Sequence, residues 1–179
     1  MHTGDPMNNI VLIGLPAAGK STLGVILAKT LGLNFIDTDI VIQERTGRLL
    51  QDIIDREGPA AFKSIEEQAI LDIRFHHAVI ATGGSVVFSE RAMHHLKSGG
   101  VAVYVKISFT EMEKRLKNIT TRGIVLAPGE SLSDMYAERI PLYEKYADIT
   151  ITGSGTDPET IVGDIITAVE KFPDQRAFQ

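Results

Sequence analysis

The sequence contains no cysteine, which excludes disulfide bonds and thiolate metal sites. It has no apolar run long enough for a transmembrane helix, and its N-terminus lacks the charged-then-apolar pattern of a secretory signal. No dense stripe of lysine and arginine occurs, and the formal net charge is −5, which argues against a nucleic-acid footprint. We therefore expect a cytoplasmic monomer with no membrane or nucleic-acid partner.

The length indicates one domain of α/β size. The chain has 179 residues, of which 44% are hydrophobic, an ordinary share for a protein with a full core. Residues 1–6 resemble a cloning remnant ahead of a native Met7, so we leave them out of the fold prediction. We expect residues 7–179 to form a single domain.

The stretch Ile10–Thr22 organises the rest of the chain. Residues 14–21 follow the pattern G-x-x-x-x-G-K-S of a phosphate-binding P-loop. An apolar run at residues 10–13 predicts a buried strand before the motif, and helical spacing of apolar residues begins just after it. Backbone N–H groups at the start of that helix would bind phosphate oxygens, with Lys20 supplying charge and the Ser21 hydroxyl able to hold Mg²⁺.

A glycine-rich turn that only caps a helix is the alternative interpretation of this stretch. Gly14 and Gly19 would then serve the turn alone. The strand before the motif and the helix after it are the context that a phosphate site requires, and they favour phosphate binding.

Two carboxylates, Asp37 and Asp39, follow a short predicted strand at residues 34–36. Ligands of open α/β sheets bind at the carboxyl ends of the strands, so these side chains are candidates for metal and substrate binding. The alternative is that Thr38 or Asp39 merely caps the next helix.

Two glycines, Gly83 and Gly84, follow the third predicted strand and would let a substrate approach the backbone; a simple turn is the alternative. Before that strand, helical spacing breaks at Gly58-Pro59 and then continues to about His76. This helix contains the charged residues Lys63, Glu66 and Glu67. One interpretation is that they only form a solvent-exposed face with local ion pairs.

The least regular stretch is residues 118–133, which include Arg122. Loops this long are usually functional or disordered. A mobile lid with an arginine would suit phosphoryl transfer, and an inert surface loop is the alternative.

Five predicted strands alternate with helices, which favours a three-layer α/β/α sandwich around a parallel sheet. The strands are expected at residues 10–13, 34–36, 79–81, 101–105 and 149–152.

Taken in order, these motifs resemble the shikimate kinase family, within the nucleoside-monophosphate-kinase-like P-loop group. The resemblance rests on GLPxxGKST, FIDTD, RTGR, FxxIE, Gly83-Gly84, the lid arginine and RxPLY. It implies a five-stranded parallel sheet of order 2-3-1-4-5. It also implies transfer of the γ-phosphoryl group of ATP to the 3-hydroxyl of shikimate, with Mg²⁺, in aromatic amino-acid biosynthesis.

The resemblance also implies roles for individual residues. Lys20, Asp39 and Arg122 would be catalytic, and the metal would be held by Ser21 directly and by Asp37 through water. The implied nucleotide-binding residues are Pro16, Ala17, Ala18, Gly19, Lys20, Ser21, Thr22, Arg115 and Pro158, of which Arg115 and Pro158 would flank the adenine. The implied substrate-binding residues are Asp39, Lys63, Gly83, Gly84 and Arg139.

Two departures from the family pattern lie on the acceptor side. Lys63 stands where the family has an arginine, and an ammonium cannot bind a carboxylate in the bidentate way of a guanidinium. Gly123 follows the lid arginine where a proline is usual, which loosens the lid. A related kinase for a different hydroxylated acceptor is therefore an alternative. A non-catalytic ATP-binding module is another, which the retained aspartates and arginines disfavour.

Overall fold

The computed structural model describes residues 9–117, 124–155 and 157–172, in which five strands alternate with seven helices. The strands are β1 Asn9–Ile13, β2 Asn34–Asp37, β3 Ala78–Ala81, β4 Gly100–Lys106 and β5 Ile149–Thr152. The helices are α1 Lys20–Leu31, α2 Thr38–Thr46, α3 Leu50–Leu71, α4 Glu90–Ser98, α5 Phe109–Lys117, α6 Leu132–Tyr146 and α7 Pro158–Glu170. A short 3-10 turn, Val86–Phe88, follows β3.

All neighbouring strands pair in parallel, in the order β2-β3-β1-β4-β5, which confirms the predicted sheet. Strand β1 is central: Ile10 lies between Val79 of β3 and Val101 of β4, and every residue of β1 is buried. Because the strands are parallel, their carboxyl ends meet at one edge, where the P-loop, the aspartates and the glycine pair all emerge.

Helices cover the sheet and bury its apolar strands. Helix α1 packs against α7 and against β3, while α3 packs against α4, and α4 and α6 pack against β4. The predicted three-layer sandwich is confirmed. None of the described helices combines the length and apolar character that crossing a membrane requires.

Helix α3 bends where the sequence predicted a break, because Gly58 has φ 85°, outside the helical region. The predicted end near His76 is wrong, since the helix stops at Leu71. The Ile73 amide bonds the carbonyl of Ile70, three residues back, so the chain has already left the α-helical ladder. Apolar spacing continues past that point and concealed the end of the helix.

The predicted lid is described only in part. Residues 124–131 contain no helix or strand, and α6 begins at Leu132 behind a capping box formed by Ser131 and Asp134. Arg122 and Gly123 lie outside the described residues, so their roles stay predictions.

Candidate active site

The phosphate-binding loop opens helix α1 without a side-chain cap. Gly19, at φ 89°, occupies the N-cap position, and no described side chain bonds the first-turn amides. Those N–H groups have no partner within the helix, and the positive end of its dipole lies at the same place. The loop therefore presents an anion site at the carboxyl edge of the sheet.

Lys20 lies along this loop and is 6% exposed. Its Nζ donates hydrogen bonds to the carbonyl oxygens of Gly14 at 2.6 Å and Leu15 at 2.8 Å. The ammonium is thus held against the loop rather than in solvent, and its contact with phosphate stays a prediction.

The Ser21 hydroxyl donates a 2.6 Å hydrogen bond to Asp37 Oδ2 at the end of β2. A hydroxyl and a carboxylate side by side at a phosphate site are oxygen donors that suit Mg²⁺, which is usually bound by few protein ligands together with water and phosphate. The residues present therefore fit the expected metal.

The cap of α2 is Asp37, whose Oδ1 accepts from the Asp39 amide at 3.0 Å. The alternative that Thr38 or Asp39 caps the helix is therefore wrong. Thr38 is fully buried, and its hydroxyl oxygen accepts from the Gly83 amide at 3.1 Å. No local pattern in the sequence predicts this link between the start of α2 and the glycine turn.

One cleft of about 470 Å³ joins the phosphate loop to the aspartates and the glycine pair. Its lining includes Pro16, Lys20, Ser21, Asp37, Asp39, Gly83 and Gly84. A smaller recess shares Pro16, Asp39 and both glycines with the cleft and continues to Glu66, Val125 and Arg139. Eight of the sixteen predicted site residues thus line the cleft or the adjoining recess.

The glycine turn is packed too closely for any side chain. A Cβ at Gly83 would overlap the Glu66 carboxylate and lie 2.9 Å from Asp39 Oδ1. The Gly84 carbonyl accepts a 2.6 Å hydrogen bond from the Tyr143 hydroxyl. The turn is therefore held from both sides. Other side chains of the site fill the space beside its two α-carbons, and both glycines still line the cleft.

Glu66 is the main site residue that the sequence interpretation missed. The carboxylate is 2% exposed and accepts a 2.5 Å hydrogen bond from the Ser85 hydroxyl, so the predicted solvated face is wrong for Glu66. Among the described residues, its Oε1 has no hydrogen-bond partner, and neither has Arg139 Nε in the same recess. A usable signal was its spacing: Glu66 lies four residues after Phe62 on the apolar face of α3.

Burial raises the pKa of the Glu66 carboxyl from 4.5 to about 7. The nearby Asp39 charge raises the pKa as well, while the Ser85 hydrogen bond and the positive charges of Arg139 and Lys63 lower it. Near neutral pH this carboxyl is thus present both protonated and ionised.

The free energy of unfolding should therefore depend on pH through Glu66. Between about pH 4.5 and 7 the folded protein keeps a proton that the unfolded chain has released, so stability falls as pH rises and levels off above that window. Glu66 contributes up to roughly 3 kcal/mol to this decrease in the free energy of unfolding. Urea unfolding at a series of pH values, compared between wild type and Glu66→Gln, measures it. We expect the difference to disappear at low pH.

The matched control is Glu138→Gln, on the exposed face of α6. Its pH curve should run parallel to that of the wild type. Parallel curves for wild type and Glu66→Gln would contradict the raised pKa.

Arg139 points from α6 into the recess and is 2% exposed. Its Nη2 donates to the Val125 carbonyl, and a Cβ at Gly84 would lie 3.2 Å from Nη1. The guanidinium thus lies beside the glycine turn, where the predicted substrate carboxylate would bind.

Lys63 lies elsewhere: its ammonium is 3.8 Å from the centroid of the Phe88 ring. It lines a neighbouring cavity of about 210 Å³ that shares Glu66 and Ser85 with the recess. Lys63 therefore lines the cavity that adjoins the recess at Glu66 and Ser85, and its predicted contact with the acceptor stays a prediction.

The two residues expected near the adenine differ in their contacts. Arg115 donates to the carbonyls of Ala17 at 3.2 Å and Gly153 at 3.0 Å, which ties α5 to the phosphate loop. Pro158 is exposed at the first turn of α7. Their adenine contacts stay predictions.

Comparison with known proteins identifies one family. The shikimate kinase family model matches residues 16–170. A shikimate kinase of Thermodesulfovibrio yellowstonii is 39% identical over 169 residues, covering 93% of this chain and 97% of that protein. Shikimate kinase from Aquifex aeolicus matches in structure with a TM-score of 0.78 and 32% identity, over 90% of this chain and 96% of that one. Shikimate kinase from Acinetobacter baumannii, solved in complex with shikimate, matches with a TM-score of 0.84 and 28% identity. This match covers 91% of this chain and 93% of that one.

These matches run from the phosphate loop to the end of α7 and so include both sides of the cleft. They favour the predicted shikimate kinase over a kinase for a different acceptor. The chain belongs to the shikimate kinase family.

Proposed function

We propose that the chain transfers the γ-phosphoryl group of ATP to the 3-hydroxyl of shikimate, a small ring acid with several hydroxyl groups and one carboxylate. The observation that carries the proposal is a pair of adjoining cavities that share Asp39 and the glycine turn, with Lys20 lining one and Arg139 the other. It supplies carboxylate acceptors for hydroxyl groups and a guanidinium donor for a carboxylate, next to an anion site for the phosphates.

On the nucleotide side, the first-turn amides of α1 bind phosphate oxygens, and Lys20 turns from the loop carbonyls towards an outer phosphate. Arg115 and Pro158 flank the adenine. The anchoring of Arg115 to the carbonyls of Ala17 and Gly153 supports this role, because it fixes the guanidinium beside the loop.

Ser21 and Asp37 would hold Mg²⁺, Asp37 through a water molecule, and the ion would supply positive charge next to the phosphates of ATP. Because Asp37 also accepts from the Asp39 amide, its carboxylate has a fixed orientation at the cleft.

On the acceptor side, Asp39 accepts a hydrogen bond from the reacting hydroxyl and orients its oxygen towards the γ-phosphorus. Gly83 and Gly84 let the ring lie against the backbone, and Arg139 binds the carboxylate. Arg122 meets the transferring phosphoryl group from the lid. Phosphoryl transfer depends mainly on such positioning and charge stabilisation.

An acceptor screen tests the proposal. Purified protein is given ATP, Mg²⁺ and one of a panel of hydroxy acids and neutral polyols, and ADP release is followed by a coupled assay. We expect ADP release to depend on shikimate, and Asp39→Asn to suppress it. Asp164→Asn, at an exposed position of α7, is the matched control. Normal ATP binding without shikimate-stimulated turnover would exclude this function.

The proposal includes a monomer that acts in the cytoplasm. The lack of cysteine suits a reducing compartment.

A further inference from the structure

The ring of Phe88 lies against two cationic side chains on the acceptor side. Phe88 ends the 3-10 turn after the glycine turn, and its side chain is half-buried. Lys63 Nζ lies 3.8 Å from the ring centroid, and the guanidinium carbon of Arg139 lies 5.4 Å from it. Both distances are within the roughly 6 Å over which an aromatic face attracts a cation.

Lys63 depends on this ring for its position. In the part of the chain that the structure describes, no carboxylate pairs with its ammonium and no oxygen accepts a hydrogen bond from it. A lysine side chain is long and flexible, so without a partner its ammonium group would occupy many positions. The ring confines the ammonium to the cavity that shares Glu66 and Ser85 with the acceptor recess.

Arg139 reaches the same ring from helix α6 while its Nη2 bonds the Val125 carbonyl. Two positive charges near each other repel, and more strongly where water is excluded. A ring that contacts both charges offsets part of this repulsion. Phe88 thus makes it less costly to keep Lys63 and Arg139 at one site.

We propose that Phe88 is a positioning residue that holds Lys63 and Arg139 for the carboxylate of the acceptor. The inference rests on the proposed function, because it requires an acceptor that carries an anion. A point charge must be placed accurately to replace a guanidinium fork, and the ring supplies that placement.

The test compares Phe88→Leu, which removes the aromatic face, with Phe88→Tyr, which keeps it. In Phe88→Leu we expect the KM for shikimate to rise about fivefold to tenfold, while kcat and the KM for ATP stay within about twofold. Phe88→Tyr should restore the wild-type KM. Phe75→Leu is the matched control, since Phe75 is half-buried and its ring lies tilted against His95 instead of a lysine or arginine.

The methyl ester of shikimate separates positioning from a general structural effect, because it lacks the negative charge. We expect Phe88→Leu to leave its KM unchanged, and an equal rise for ester and acid would overturn the inference. If Phe88→Leu does not fold, Lys63→Met must show the same rise in KM for shikimate. A wild-type KM in that variant would also overturn it.

Failure of the proposed function has a different signature. If wild type does not phosphorylate shikimate, the same variants are measured with the acceptor that it does use. A neutral polyol as that acceptor would overturn the inference about Phe88, whereas a hydroxy acid with the same KM shift would uphold it. A double-mutant cycle of Phe88→Leu and Lys63→Met in urea unfolding is the last check. Zero coupling between the two positions would overturn the inference for any acceptor.

Discussion

Replacing Lys20 with methionine should lower kcat by about a thousandfold, the size of effect seen when a charged group that stabilises a transferring phosphate is removed. The ammonium is 2.6 and 2.8 Å from two loop carbonyls and is nearly buried. Among the described residues that line the cleft there is no other lysine. Methionine keeps most of the side-chain volume and removes the charge. Coupled ADP detection at saturating ATP and shikimate measures the loss.

The matched control is Lys29→Met, in the last turn of the same helix and exposed to solvent. Its kcat should equal that of wild type. A Lys20→Met enzyme within tenfold of the wild-type kcat would exclude a catalytic role for this charge, and the far-UV circular dichroism of both variants shows whether the fold is intact.

Replacing Arg139 with methionine should lower kcat/KM for shikimate by about a hundredfold or more, because truncating one partner of a buried charge pair costs several kcal/mol. The KM for ATP should change little, since Arg139 lines the recess rather than the wall beside the phosphate loop. Removing the guanidinium also takes away a charge that lowers the pKa of Glu66, so that pKa should rise further. Steady-state kinetics and the pH dependence of unfolding measure the two effects.

Arg74→Met is the control, because Arg74 is exposed after the end of α3. An Arg139→Met variant with a higher KM for ATP and an unchanged KM for shikimate would show that this arginine binds ATP and not the acceptor.

The sequence was informative where one local pattern determines both structure and chemistry. Strand β1, the loop after it and the start of α1 follow from an apolar run, a glycine motif and helical spacing, and the structure confirms all three. The strand order 2-3-1-4-5 came from the family resemblance rather than from periodicity. The family itself is confirmed by relatives that cover most of the chain.

The acceptor side depends on contacts between distant segments, which no local pattern reveals. Glu66 bonds Ser85 nineteen positions away, and Tyr143 reaches Gly84 from a helix that follows the lid. A single charged residue in α3 can be exposed to solvent or buried in a site, so the sequence alone could not show that Glu66 is buried. The contact of Lys63 with Phe88 depends on the 3-10 turn, which the sequence did not predict.

Helix α6 carries both Arg139 and, one turn later, the Tyr143 hydroxyl that holds the glycine turn. The two residues are one helical turn apart, with Pro141 between them. A competitive inhibitor large enough to push the glycine turn outwards would displace Tyr143 and, through α6, the guanidinium that is meant to bind its acidic group. Medicinal chemistry at this pocket should therefore extend compounds into the larger cleft and keep the end near α6 small.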